Sequence, residues 1–79
     1  MFNYSLFMFY GNKEVAKDII NYCVNNVDNL DFGDKLEIVY NPHYFHNNAF
    51  MSVKVDCFDY DKLCDFRLTA ELIRGIENA

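Results

Sequence analysis

The chain has little of what most small enzymes need. Only two serines, Ser5 and Ser52, and one threonine, Thr69, are present, and no glycine-framed nucleophile turn surrounds any of them, so serine-hydrolase chemistry is excluded. The three glycines stand apart at Gly11, Gly33 and Gly75, which leaves no loop to cradle a phosphate and argues against nucleotide-dependent catalysis. Basic residues are scarce, seven against twelve acidic ones, and the formal charge of −5 repels phosphate backbones. Direct nucleic-acid binding is therefore not expected. The longest apolar run, Leu6 to Tyr10, falls far short of the roughly 20 residues a helical membrane span requires, so no membrane association is expected. Cysteine is limited to Cys23, Cys57 and Cys64, an odd count with no secretory leader ahead of it. That pattern points to reduced thiols and a cytoplasmic location, the host cytoplasm if the gene is phage-encoded.

What is present describes one small folded domain spanning residues 1–79. A mass of 9.4 kDa with 52% hydrophobic and 24% charged residues supplies enough apolar surface to offset chain entropy, but only for a single core. Phe, Tyr, Met, Ile, Asn and Lys account for 37 residues, whereas Gly, Ala, Arg and Pro account for 10. The first group uses AT-rich codons, a bias found in many bacteriophages and mobile elements and also in AT-rich bacteria.

Hydrophobic periodicity assigns five elements. From Phe2 to Tyr10 the side chains alternate, with Phe2, Tyr4, Leu6, Met8 and Tyr10 on one face and Asn3, Ser5, Phe7 and Phe9 on the other. Gly11 and Asn12 are expected to break this strand, with Asn12 capping a helix from Lys13. In that helix Val15, Ala16, Ile19, Ile20, Cys23, Val24 and Val27 form one apolar stripe. A polar stretch up to Asp34 ends it. Leu36, Ile38 and Tyr40 mark a second strand that stops at Asn41-Pro42, residues 41–48 form a loop, and Met51, Val53, Val55 and Cys57 mark a third. A last helix, from about Asp59 to Glu77, takes Asp59 or Asp61 as its N-cap. It carries two apolar lines: Leu63, Phe66, Ala70 and Ile73, and then Tyr60, Cys64, Leu68, Leu72 and Ile76. One face cannot hold both, so either the helix breaks near Leu68 and Thr69 or its second line meets another surface.

The βαββα order and right-handed crossovers favour an α+β fold. It is a three-stranded, mostly antiparallel sheet with two helices on one face, a truncated ferredoxin-like unit with strand three between strands one and two. Strand one is then an unpaired edge with a strongly apolar surface. Self-association into a homodimer, or binding to another protein, is the expected consequence. The competing expectation is that the core covers both helical lines and the loop of residues 41–48 shields the edge.

The remaining chemistry-bearing residues form no recognisable set. His43 and His46, with Cys57 and Cys64, offer zinc-type donors, but the cysteines have six residues between them and lie on different elements. The carboxylates from Asp28 to Asp34 lack the order of a calcium loop. No catalytic residue, metal or cofactor is expected.

The segment Leu6-Phe7-Met8-Phe9-Tyr10-Gly11-Asn12 resembles the first-strand motif of RNA-recognition domains. That resemblance implies a sheet aromatic stacked on bases. It covers seven residues, and strand three, with Phe50 and Val53, departs from the second motif by lacking its basic residue and glycine.

Fourteen aromatics in 79 residues exceed what so small a core hides, and Tyr and Phe serve well as interface anchors. The expected function is that of a non-enzymatic, acidic interaction protein. Its expected partner is a host or defence-system protein such as restriction, BREX or CRISPR machinery, which a phage- or mobile-element-type inhibitor would block. The expected anchors are Phe7 and Phe9 on strand one, Tyr44 and Phe45 in the loop, and Leu68 and Leu72 on the last helix. A variant uses spaced carboxylates to mimic nucleic acid. The alternatives are an RNA-recognition-like module, or a small enzyme or ligand-binding domain built around His43, His46 and Cys57.

Overall fold

The computed structural model describes residues 3–77, the side chains of Ile76 and Glu77 excepted. The expected places of Phe2 in the first strand and of the Ile76 side chain in the second helical line therefore lie outside the described residues. The element order is β1 (Asn3–Asn12), α1 (Lys13–Asn25), a short 3-10 turn (Val27–Asn29), β2 (Lys35–Pro42), β3 (Asn48–Cys57) and α2 (Tyr60–Glu77). β3 lies at the centre, antiparallel to both neighbours, in a sheet of order β1-β3-β2. This is the expected α+β architecture.

The core is built on the face of the sheet that the helices cover. β3 alternates strictly between buried and half-buried residues, with Met51, Val53, Val55 and Cys57 inward. Phe7 and Phe9 lie opposite Val53 and Met51 in β1, and Ile38 and Tyr40 lie opposite the same two residues in β2. Val15, Ala16, Ile19 and Cys23 of α1 and Leu63, Phe66 and Ala70 of α2 close over them. Tyr22 meets Phe66 edge to face at 6.0 Å between ring centroids, the geometry that opposed ring quadrupoles favour. Among the described residues no buried side-chain nitrogen or oxygen is left without a partner.

Several boundaries differ from expectation for physical reasons. Gly11 and Asn12 do not break β1, because they pair with Ala49 and Asn48 to the end of the sheet. Gly11 is needed there for space, since a Cβ would stand 2.8 Å from Cζ of the buried Phe9 ring. Asn12 then serves both elements, with its side chain accepting from the Glu14 N–H at 2.7 Å. The loop of residues 41–48 is shorter than expected. Asn41 and Pro42 extend β2, and His43 N–H donates to the Asn48 carbonyl at 2.8 Å. The Asn47 carbonyl accepts from Lys13 N–H at 3.0 Å, so this loop closes the end of the sheet rather than the outer edge of β1. The α1 stripe ends early: Val24 and Val27 are exposed, because the chain leaves the helix at Asn25 and turns away through the 3-10 segment.

α2 runs unbroken from Tyr60. Asp59 is its cap, accepting from the N–H groups of Asp61 and Lys62 at 3.0 and 3.3 Å. Lys62 reaches back to Asp31 at 3.1 Å and ties the start of α2 to the turn before β2. That turn is shaped by Gly33, with φ at +95°, and by Asp34, whose carboxylate accepts from Asp31 N–H at 2.8 Å.

Gly11→Ala should lower the unfolding free energy by roughly 1–3 kcal/mol through overpacking against Phe9. Gly75→Ala faces open space and should raise it by up to about 1 kcal/mol through helix propensity. Urea titrations of the two variants check both signs.

Candidate functional site

The helices leave the other face of the sheet uncovered. Its residues lie in four rows across the strands: Tyr4–Asp56–Lys35, Leu6–Lys54–Glu37, Met8–Ser52–Val39 and Tyr10–Phe50–Asn41. Tyr4 and Tyr10 are 69% and 67% exposed, and Leu6, Met8 and Val39 are also exposed. Polar groups sit among them. Lys54 places its ammonium 5.4 Å from the Tyr4 ring centroid and 3.9 Å from the Asp56 carboxylate. Such exposed pairs contribute little to stability, but they keep this end of the face amphipathic.

The expected anchors fall into three separate places. Phe7 and Phe9 are 6% and 4% exposed and belong to the core, which corrects their assignment as surface anchors. Register explains it: opposite Val53 and Met51, they share the inward face of β3. The missed surface residues are the alternate set, Tyr4, Leu6, Met8 and Tyr10. Hydroxyl chemistry signals this choice in the sequence, since a tyrosine hydroxyl prefers water and β1 places tyrosines on one face and phenylalanines on the other.

Tyr44 and Phe45 are 90% and 84% exposed at the tip of the β2–β3 connection. Their rings meet edge to face at 5.2 Å, beside His43 and His46, whose rings lie 4.5 Å apart. His43 Nδ1 accepts from the Phe45 N–H at 3.1 Å and shapes the tip. Tyr10 and Phe50 occupy the end of the open face nearest this tip, while Tyr4, Phe58 and Tyr60 expose aromatic surface at the other end. Leu68 and Leu72 are exposed on α2, together with Tyr60 and Cys64. On this continuous helix Leu63, Phe66 and Ala70 are buried and Ile73 is half-buried, whereas Tyr60, Cys64, Leu68 and Leu72, the described members of the second line, lie on the surface.

No three His, Cys, Asp or Glu side chains converge among the described residues to hold a metal ion. The three cysteines are free, Cys23 and Cys57 buried and Cys64 exposed. Burial pushes the Cys23 thiol up to about 11. It also raises Cys57, whose Sγ donates to the Asp59 carbonyl at 3.2 Å. Both are held as thiols near neutral pH, poor nucleophiles and poor metal ligands. Cavities are shallow. An interior void of about 10 Å³ beside Phe7 and Phe66 has room for at most one water. An open groove of about 480 Å³ runs between β1 and α2, past Tyr4, Ser5, Leu6, Tyr60 and Cys64. No family model, curated protein or solved structure matches this chain, so its surfaces are read from their own geometry.

Phe7→Ala should lower stability by about 3–5 kcal/mol, a large share of what a domain of this size has. Tyr10→Ser should change it by less than about 0.5 kcal/mol. Thermal denaturation of the two variants separates core from surface. Alkylation at pH 8 should modify Cys64 rapidly and reach Cys23 and Cys57 only on unfolding, as mass spectrometry of the quenched reaction would record.

Proposed function

We propose that this chain is a non-enzymatic, acidic interaction protein that binds a larger protein through the open face of its sheet and the adjoining aromatic tip. The supporting observation is that Tyr10, Val39, Tyr44 and Phe45, large apolar side chains that one helix could have covered, stand exposed on one side and end of the sheet. Contiguous exposed apolar surface on so small a domain marks a contact site. The composition of the chain fits a phage- or mobile-element-type inhibitor, and the proposed target is a host or defence-system protein such as restriction, BREX or CRISPR machinery.

A second reading has its own support. Tyr10 and Phe50 are cross-strand partners on the open face, with Lys54 two residues along β3 from Ser52, an arrangement on which single-stranded RNA could stack. The net charge of −5 opposes it, and binding of labelled RNA that collapses with salt would favour it over the protein target.

Expression of the chain in bacteria carrying restriction, BREX or CRISPR systems should raise phage plating at least roughly tenfold against one of them. Val39→Asp combined with Tyr44→Ser and Phe45→Ser should abolish the effect while the far-UV spectrum stays unchanged. No protection across the panel would overturn the reading.

A further inference from the structure

The two edges of the sheet are unlike. β2 carries Lys35 and Glu37 and ends on Pro42, charges and an imino acid that discourage strand addition. β1 carries no Asp, Glu, Lys, Arg or Pro in its ten residues, although charged residues make up 24% of the chain. β1 pairs with β3 alone among the described strands, and every second residue of an antiparallel edge directs its N–H and C=O outward. Along Tyr4 to Leu6 the strand opens into the groove of about 480 Å³ beside α2, so over this first half of β1 the helix leaves space beside the strand.

β1 is also close to palindromic. About Phe7, the exposed side chains read Tyr4, Leu6, then Met8, Tyr10. Antiparallel pairing of two copies centred on Phe7 sets Tyr4 against Tyr10 of the second copy and Leu6 against Met8 of the second copy. Each exposed apolar residue thereby meets another of its kind on the same face. α2 adds complementary charge about the same axis. Arg67 and Ala70 border the void that Ser5 and Phe7 also line, so this stretch is level with the centre of β1. Arg67 and Glu71, paired at 3.4 Å and both exposed, present opposite charges one turn apart, beside Leu68 and Cys64. A twofold axis between two such helices sets each Arg67 towards Glu71 of the other copy.

We propose that the occupant of the β1 edge is a second copy of this chain, paired antiparallel about Phe7 in a closed, twofold dimer with one continuous six-stranded sheet. Neutrality of β1 lets two chains of charge −5 meet without like charges at the seam. The guarded β2 edges end the sheet on both sides, so association stops at two copies rather than growing into a fibre. This goes beyond the binding of a target, which uses Val39 and the aromatic tip, and Tyr10 lies where the two surfaces adjoin.

Sedimentation at micromolar concentration should give about twice 9.4 kDa, and amides of residues 3–12 should gain protection from hydrogen exchange as concentration rises. Leu6→Glu with Met8→Glu gives position 6 a partner in Lys54 within its own chain but sets carboxylates against each other across the seam. Dimerisation should weaken by roughly tenfold or more. Leu6→Glu with Met8→Lys sets opposite charges against each other in the Phe7-centred register and should restore it. A monomeric wild-type chain whose outward-facing β1 amides gain no protection as concentration rises overturns the dimer, a result that needs no variant to fold. Failure of the charge-swapped pair to recover overturns the register, and growth to higher oligomers overturns closure.

Discussion

Everything in this molecule is placed by the central strand. β3 is hydrogen-bonded on both sides over Asn48–Cys57, and its side chains divide without ambiguity, with Met51, Val53, Val55 and Cys57 buried and Ser52, Lys54 and Asp56 turned the other way. Because strand side chains alternate with period two, a one-residue slip would bury Lys54 and Asp56 and expose Val53 and Val55. The cost of burying unpaired charge fixes the register, and the register then chooses the faces of both neighbours. Phe7 and Phe9 are core residues because of what lies across from them.

That dependence explains what the sequence could and could not tell. Element order and strand order follow from periodicity and chain connection, which are local or nearly so. Asn12 and Asp59 are legible as caps because a short polar side chain before a helix has one evident use. The faces of β1 are not legible in the same way: both of its alternating sets are apolar, so hydrophobicity alone gives no preference. Only pairing with β3, a contact distant in sequence, breaks the tie. The difference between Tyr and Phe carries the local remnant of that information, since a buried tyrosine hydroxyl would need a partner that this core does not offer.

The surface was legible to a different degree. Tyr44 and Phe45 lie in a loop too short to fold back on the core, so their exposure follows from chain length. Leu68 and Leu72 are exposed because a straight helix turns only one stripe to a sheet, and Leu63, Phe66 and Ala70 already occupy it. For both groups the sequence narrows the choice to two outcomes, and the continuous α2 and the loop closing the sheet end decide between them. By contrast, the early end of the α1 stripe depends on where the chain leaves the helix at Asn25, and helix boundaries are set by competing backbone hydrogen bonds of the Asn- and Asp-rich stretch. Asn26 illustrates this, donating through its side chain to the Tyr22 carbonyl at 2.8 Å.

The distribution of charge is the clearest sign of how these surfaces are divided. Two helices on one side of three strands leave the opposite face to water, and the simplest way to make that face soluble is to place charge on it. β2 and β3 do so, with Lys35, Glu37, Lys54 and Asp56. β1 does not, although substituting a lysine at Leu6 or Met8 would leave the core untouched. A strand that supplies core residues from one set of positions is free to vary at the other, so the uncharged set Tyr4, Leu6, Met8 and Tyr10 is not imposed by the fold. The proposed pairing of β1 with a second copy would use this apolar surface beside the edge, which folding itself leaves unconstrained.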